Sequence, residues 1–300
     1  MILAMPVTRR EMMLAPAPLS LAARAQPPQV SFGPHRISRL IVGGNPVSGN
    51  SHWSPALDRE MMDYFSAANV KKLLRACEAA GINTWQSRAD RHIMRLLREY
   101  RNEGGKIQWI AQTASELADV FRNIRDAAAG GAIGVYHHGN RTDALFRSGK
   151  LDELRDILKA MKDAGVRAGV GTHVPEVVDV IESKGWEVDF YMTCLYNLTR
   201  PKDEVARIAG REVQGEFFYD PDREKMLERV RRTQKPCLVF KVYGATRKCG
   251  SAAEMKNAMA QVLRYAKPSD ALVIGMFPKY KDQVTENCRL FAEVLREHSG

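Results

Sequence analysis

The chain is 300 residues long, 45% hydrophobic and 27% charged, the proportions of an ordinary globular protein, and no run of about 18 apolar residues suggests a membrane span. Its formal net charge is +10, but the basic residues are spread over several helix-like segments with no clustered basic face interleaved with aromatics, so nucleic acid is not an expected partner. Five cysteines, Cys77, Cys194, Cys237, Cys249 and Cys288, lack C-x-x-C spacing and are odd in number, which excludes a zinc ribbon or an evident disulfide framework.

The first 25 residues set Arg9-Arg10 ahead of a modest apolar stretch from Met12 to Ala23 and close on Ala23-Arg24-Ala25, an A-x-A cleavage pattern. That is the build of a signal peptide. Adjacent arginines before a weakly apolar stretch containing Pro16 and Pro18 favour the twin-arginine route, which carries folded proteins to the periplasm. Residues 1–25 are therefore set outside the fold; without a signal function for them, the expected location is the cytoplasm. Residues 26–35, "QPPQVSFGPH", read as a proline-rich linker.

From residue 36 short apolar runs alternate with amphipathic stretches. The strand candidates, in order, are "RLIVGG", "NTWQS", "IQWIAQ", "AIGVYH", "RAGVGTH", "VDFYMT", "CLVFKVYG" and "ALVIGM". Between them, helices end on Gly81, on Gly165 and just before Pro268. Leu151, Leu154, Ile157, Leu158 and Met161 fall on one helical face, a core stripe. Eight strand–helix units in one domain, residues 36–298, imply an α/β fold, a (β/α)8 TIM barrel. Two long segments, after strands one and six, emerge on the face where such barrels carry function.

That rim offers His137 and His138 after strand four, His173 after five, Cys194 and Tyr196 after six, and Lys241 after seven. Alternation lets only one of the adjacent histidines face the mouth. His138, His173 and Cys194 on consecutive strands predict a divalent-metal site with an open position as one possibility, a buried apolar role for Cys194 as the other. Lys241 reads as a charge partner, a proton donor or an imine-forming amine. There is no G-x-S-x-G elbow, Walker A loop, H-E-x-x-H or G-x-G-x-x-G motif.

Taken together, "ISRLIVGGNP", "ACEAAGINTWQSRA", "IGVYHHGN", "VDFYMTCLYNL" and "LVIGMFPKYKDQVTENCRLFAEVL" resemble the aldo-keto reductase superfamily over nearly the whole chain from residue 37. The resemblance implies the same barrel and an NADP(H)-dependent reduction of carbonyls by an aspartate, tyrosine, lysine and histidine. At those positions stand Gln86, the neighbourhood of Arg91, Gln112 or Thr113, and His138, so only the histidine is kept. Glu286 and Asn287 match the adenine-contacting pair, with Lys279 and Lys281 where a 2′-phosphate would lie. The expectation is an exported, atypical oxidoreductase acting on a small carbonyl or sugar-like molecule, with His138, His173, Lys241 and Tyr196 as catalytic candidates. The alternatives are a metal- or histidine-dependent lyase, isomerase or hydrolase, and a non-catalytic sugar-binding protein using Trp53, Tyr64, Phe217, Phe218 and Tyr219.

Overall fold

The computed structural model describes residues 26–298, and the segment read as a signal peptide lies outside the described residues. The described residues begin with an antiparallel hairpin, β1 (Gln29–Phe32) and β2 (His35–Ser38), paired from Gln29 with Ser38 to Phe32 with His35. Eight parallel strands then close a barrel: β3 (Leu40–Gly43), β4 (Thr84–Arg88), β5 (Gln108–Gln112), β6 (Ala132–His137), β7 (Arg167–Thr172), β8 (Phe190–Cys194), β9 (Cys237–Phe240) and β10 (Ala271–Gly275). Pairing of β10 with β3, Leu272 opposite Leu40, completes the ring. Every apolar run read as a strand overlaps one of these eight, because parallel strands covered by helices are buried on both faces and show as near-continuous apolar stretches.

Alternation divides each strand between two cores. Ile41, Ile110, Phe190, Met192, Leu238 and Val273 turn into the barrel, whereas Leu40, Val42, Trp85, Trp109 and Val239 turn outward to the helices. The stripe Leu151, Leu154, Ile157, Leu158 and Met161 is buried against this outer layer, as expected of a core face.

Residues 26–35 are not a linker. Val30, Phe32 and Ile37 of the hairpin join the interior cluster, with the Phe32 ring 4.9 Å from that of Phe190 in an edge-on arrangement. Asn83 and Gln108, at the starts of neighbouring strands, bond to Ser38 and Arg36, which seats the hairpin across the N-terminal end of the barrel. The proline pair masked a strand of only four residues, although Val30 and Phe32 alternate with exposed Gln29 and Ser31. At the opposite end, the long segment after β3 contains a helix, Pro55–Tyr64, capped by the Ser54 hydroxyl, and the one after β8 contains a helix, Lys202–Ala209. No helix among the described residues is long and apolar enough to cross a membrane.

Candidate active site

The C-terminal mouth of the barrel holds a cavity of about 610 Å³. His138 lines it. The residue follows β6 and caps the helix Gly139–Arg147, its Nδ1 accepting from the Asn140 N–H at 3.1 Å. Burial, reinforced by His173, Arg88 and Arg141, pushes His138 down to about 4, so its imidazole is neutral at neutral pH. His137 turns the other way and shares a 2.8 Å hydrogen bond with the Thr142 hydroxyl, as a packed wall residue.

His173 follows β7 and is buried beside Asp143 of the same helix. The Asp143 carboxylate accepts from His173 Nδ1 at 2.8 Å, from the His173 N–H at 3.2 Å, from Thr172 Oγ1 at 2.6 Å and from Thr199 Oγ1 at 2.9 Å. Burial alone would raise its pKa; those donors outweigh burial and hold it below the ordinary range. For His173 burial pulls downward, but Cys194 and Asp143 outweigh it and the net direction is up. The pair is an imidazolium locked against a carboxylate. A glycine makes this approach possible: a Cβ on Gly139 would stand 2.8 Å from His173 Cε1.

Lys241 follows β9 and also lines the cavity. Its Nζ is buried with no hydrogen-bond partner, and the Phe218 ring centroid lies 5.6 Å away. Burial pushes the ammonium down to about 8, against the opposing pull of Cys194 and Glu216. The backbone is strained here: Lys241, Ala245 and Thr246 have φ of 62°, 50° and 73°, and His52, across the mouth, has φ of 56°. Left-handed non-glycine residues persist only where their surroundings enforce them, and they gather at functional sites.

The long segments close over Lys241. His52 Nδ1 donates to Glu216 at 2.8 Å from each carboxylate oxygen. Arg247 donates to the His52 carbonyl at 3.1 Å, with its guanidinium 3.7 Å from the Phe218 ring centroid and 5.1 Å from that of Trp53.

The candidates from sequence separate. His138, His173 and Lys241 line one cavity, as do Lys281, Glu286 and Asn287 toward its outer end. Lys279 does not line it and instead pairs with Glu60 at 2.7 Å. Tyr196 turns away into the packing, donating to Asp220 at 3.0 Å and accepting from Arg223 at 3.2 Å. Cys194 is fully buried in contact with His173 and off the cavity wall. Among the described residues no three His, Cys, Asp or Glu side chains are gathered to hold a metal, the expected set of His138, His173 and Cys194 included. Of the aromatic residues expected to stack on sugars, Tyr64 packs on Phe65 and Phe277, Phe217 on Tyr219, and Trp53 and Phe218 on Arg247. Gln86 donates to the Tyr136 hydroxyl at 2.7 Å on the cavity floor. Asp143, Glu216, His52 and Arg88 were missed. Asp143 had a signal, since the first turns of a helix after a barrel strand face the mouth; Glu216 and His52 lie in irregular chain and had none.

No protein-family model and no curated protein matches the chain. Among solved structures it is similar to an aldo-keto reductase from Bacillus halodurans in holo form, with a TM-score of 0.51 and 10% identity over 91% of this chain and 96% of that one. It is also similar to the protein Gox0644 in apo form, with a TM-score of 0.53 and 10% identity over 90% of this chain and 92% of that one. A truncated 3-deoxy-D-arabino-heptulosonate 7-phosphate synthase from Thermotoga maritima aligns with a TM-score of 0.48 and 11% identity over 91% of each chain. At such identities the likeness concerns the fold.

Proposed function

We propose that this chain is an enzyme that transforms a small carbonyl compound through an imine on Lys241, in a lyase- or isomerase-type reaction. The observation that carries this is the buried, partnerless Nζ of Lys241 in a cavity at the C-terminal end of a barrel. With its pKa near 8, roughly a tenth of the side chain is free amine at pH 7, about 300-fold more than for a lysine at the ordinary 10.5. The amine adds to the carbonyl carbon, the new carbon–nitrogen bond replaces the carbonyl oxygen, and that oxygen leaves as water. The resulting iminium withdraws electrons from the adjacent bond, so a neighbouring carbon–carbon or carbon–hydrogen bond can release its pair toward nitrogen. His138, neutral and lining the same cavity, accepts from Asn140 at Nδ1 and so carries its proton on Nε2, which suits it to donate a hydrogen bond to a substrate oxygen, and the His173–Asp143 ion pair adds a fixed dipole.

A nicotinamide reading draws on the same cavity, which runs on to Lys281, Glu286 and Asn287. The groups there are already engaged: Lys281 with Glu286 at 2.8 Å, Lys279 with Glu60, and Asn287 with the Tyr243 hydroxyl at 2.7 Å. The cations a 2′-phosphate would need are neutralised by carboxylates, so this donor set fits NADP(H) poorly. Fluorescence titration with NADPH checks the point, and saturable binding at micromolar concentration would restore the reductase reading.

For the imine, the protein is incubated with glycolaldehyde, dihydroxyacetone, pyruvate and short aldehydes, then treated with sodium borohydride, which reduces an imine to a stable amine. Mass spectrometry should find the added mass on the Lys241 peptide in preference to the exposed lysines. Labelling that follows lysine exposure, leaving Lys241 untouched, would overturn the proposal.

A further inference from the structure

Imine formation needs a group that moves protons between nitrogen and the departing oxygen, and Lys241 Nζ has no such partner in hydrogen-bonding contact. Among the described residues two carboxylates line the cavity, Glu216 and Glu286. Glu286 is taken by Lys281. Glu216 stands two residues before Phe218, the ring that covers Lys241 Nζ, and both of its oxygens are fixed by His52 Nδ1. His52 in turn is held from three sides: its backbone is left-handed, Asn45 Nδ2 lies 3.3 Å from its Nε2, and Arg247 bonds its carbonyl. Strain spent on aiming a histidine at one carboxylate is an investment in where that carboxylate sits.

We propose that Glu216 is the proton carrier for imine formation at Lys241 and that His52 is the positioning residue that holds its carboxylate in the cavity that Lys241 lines; this rests on the imine reading above. When the free amine attacks, Glu216 takes the proton released by the nitrogen and hands it to the carbonyl oxygen, giving a neutral carbinolamine. Reprotonated from solvent, Glu216 gives a second proton to the hydroxyl, the carbon–oxygen bond breaks, water leaves and the nitrogen lone pair closes the iminium. One proton is consumed overall. At rest the carboxylate is ionised, because His52, Lys241 and His173 together outweigh the effect of its burial.

The probe is acetylacetone, which condenses with an unprotonated lysine through the same carbinolamine and yields an enaminone with its own near-ultraviolet absorbance. In the full chain its formation at Lys241 should accelerate as pH rises toward 8 and then level. E216Q should lower the rate by about 100-fold on the plateau and move the titration midpoint to lower pH, because the carboxylate that favours the charged Lys241 is gone. E216A should recover part of the rate when formate is added, and E216D more. His52→Asn, which keeps a short polar side chain at a left-handed position, should slow the reaction about tenfold with the same final yield. If the unaltered protein forms enaminone at Lys241 and E216Q does so at the same rate, or if formate does not help E216A, the role of Glu216 is overturned and the imine reading stands. If the unaltered protein forms none at Lys241, both fall. Circular dichroism melting curves identify a variant that has lost its fold, and the formate response of E216A then decides.

Discussion

At the N-terminal end of the barrel, Phe32 from the hairpin packs edge-on against Phe190, and Tyr136, its centroid 6.4 Å from that of Phe190, closes the interior above them as the floor of the cavity. At the C-terminal end the same interior opens into a cavity whose wall carries a partnerless lysine, an imidazolium locked to a carboxylate and four non-glycine residues in left-handed conformations on the loops around it. One end spends its residues on burial, and the other holds groups that burial penalises. The difference teaches where stability is made and where it is given up: polar groups without partners cost free energy inside a protein, and a fold keeps them where chemistry needs them.

The largest effect should come from the closed end. Phe32→Ala removes a fully buried ring that nothing else can replace, and should cost about 3–5 kcal/mol in chemical denaturation while leaving the rate of enaminone formation at Lys241 unchanged under native conditions. A large drop in that rate would mean that the two ends are mechanically coupled.

The opposite sign is expected at the open end. Lys241→Met removes a buried charge, abolishes labelling and should stabilise the protein by about 2–3 kcal/mol at pH 7. The pH dependence follows from the lowered value. Between about 8 in the folded chain and 10.5 in the unfolded one, the unfolded state binds the extra proton, so stability rises with pH across that window and the penalty is complete below it. Urea unfolding from pH 7 to pH 10.5 should show this slope in the unaltered protein and its loss in K241M.

Gly139→Ala tests whether the locked pair belongs to the working end. The new methyl meets His173 Cε1 at 2.8 Å, and the ring cannot swing aside without breaking its bond to Asp143. A cost of about 1–3 kcal/mol is expected, together with a lowered rate of substrate turnover, whereas acetylacetone labelling of Lys241, which does not require His173, should persist.

How much of this was legible before the structure differs between the two ends as well. The eight barrel strands were readable because their apolar runs have few alternative uses, and His138 and Lys241 could be placed at strand ends from that pattern alone. The hairpin was hidden by its brevity and by Pro27 and Pro28 just before it. Cys194 and Tyr196 were expected at the rim because they end or follow a strand, but position along the chain does not say which way a side chain leaves the last turn of backbone. Cys194 packs into the contact with His173, and Tyr196 is drawn off by Arg223 and Asp220. The expected metal set failed for a related reason: strand neighbours share a rim, yet Cys194 is buried off the cavity wall that His138 and His173 line, and the three do not gather as a ligand cluster. Glu216 and His52 meet across 164 positions of sequence through irregular segments, and no periodicity announces such a contact.

The smallest effect on stability should come from Arg247, which ties the loops over the mouth. Its guanidinium lies on the Phe218 ring and near the exposed ring of Trp53, and its hydrogen bonds go to the carbonyls of His52, Gly244 and Ala245. Cation–ring contacts of this kind contribute about 0.5–1 kcal/mol at exposed sites, so Arg247→Met, which keeps much of the apolar stem, should change the unfolding free energy by less than about 1 kcal/mol. The functional effect should be larger than the energetic one, because the same side chain links the segment of His52 to the segment of Glu216. Loosening that link frees the carboxylate to leave its place beside His52, so R247M should reproduce a fraction of the slowing expected for His52→Asn, about two- to fivefold in enaminone formation. An R247M rate equal to that of the unaltered protein would show that the His52–Glu216 contact holds the mouth without help from the ring stack.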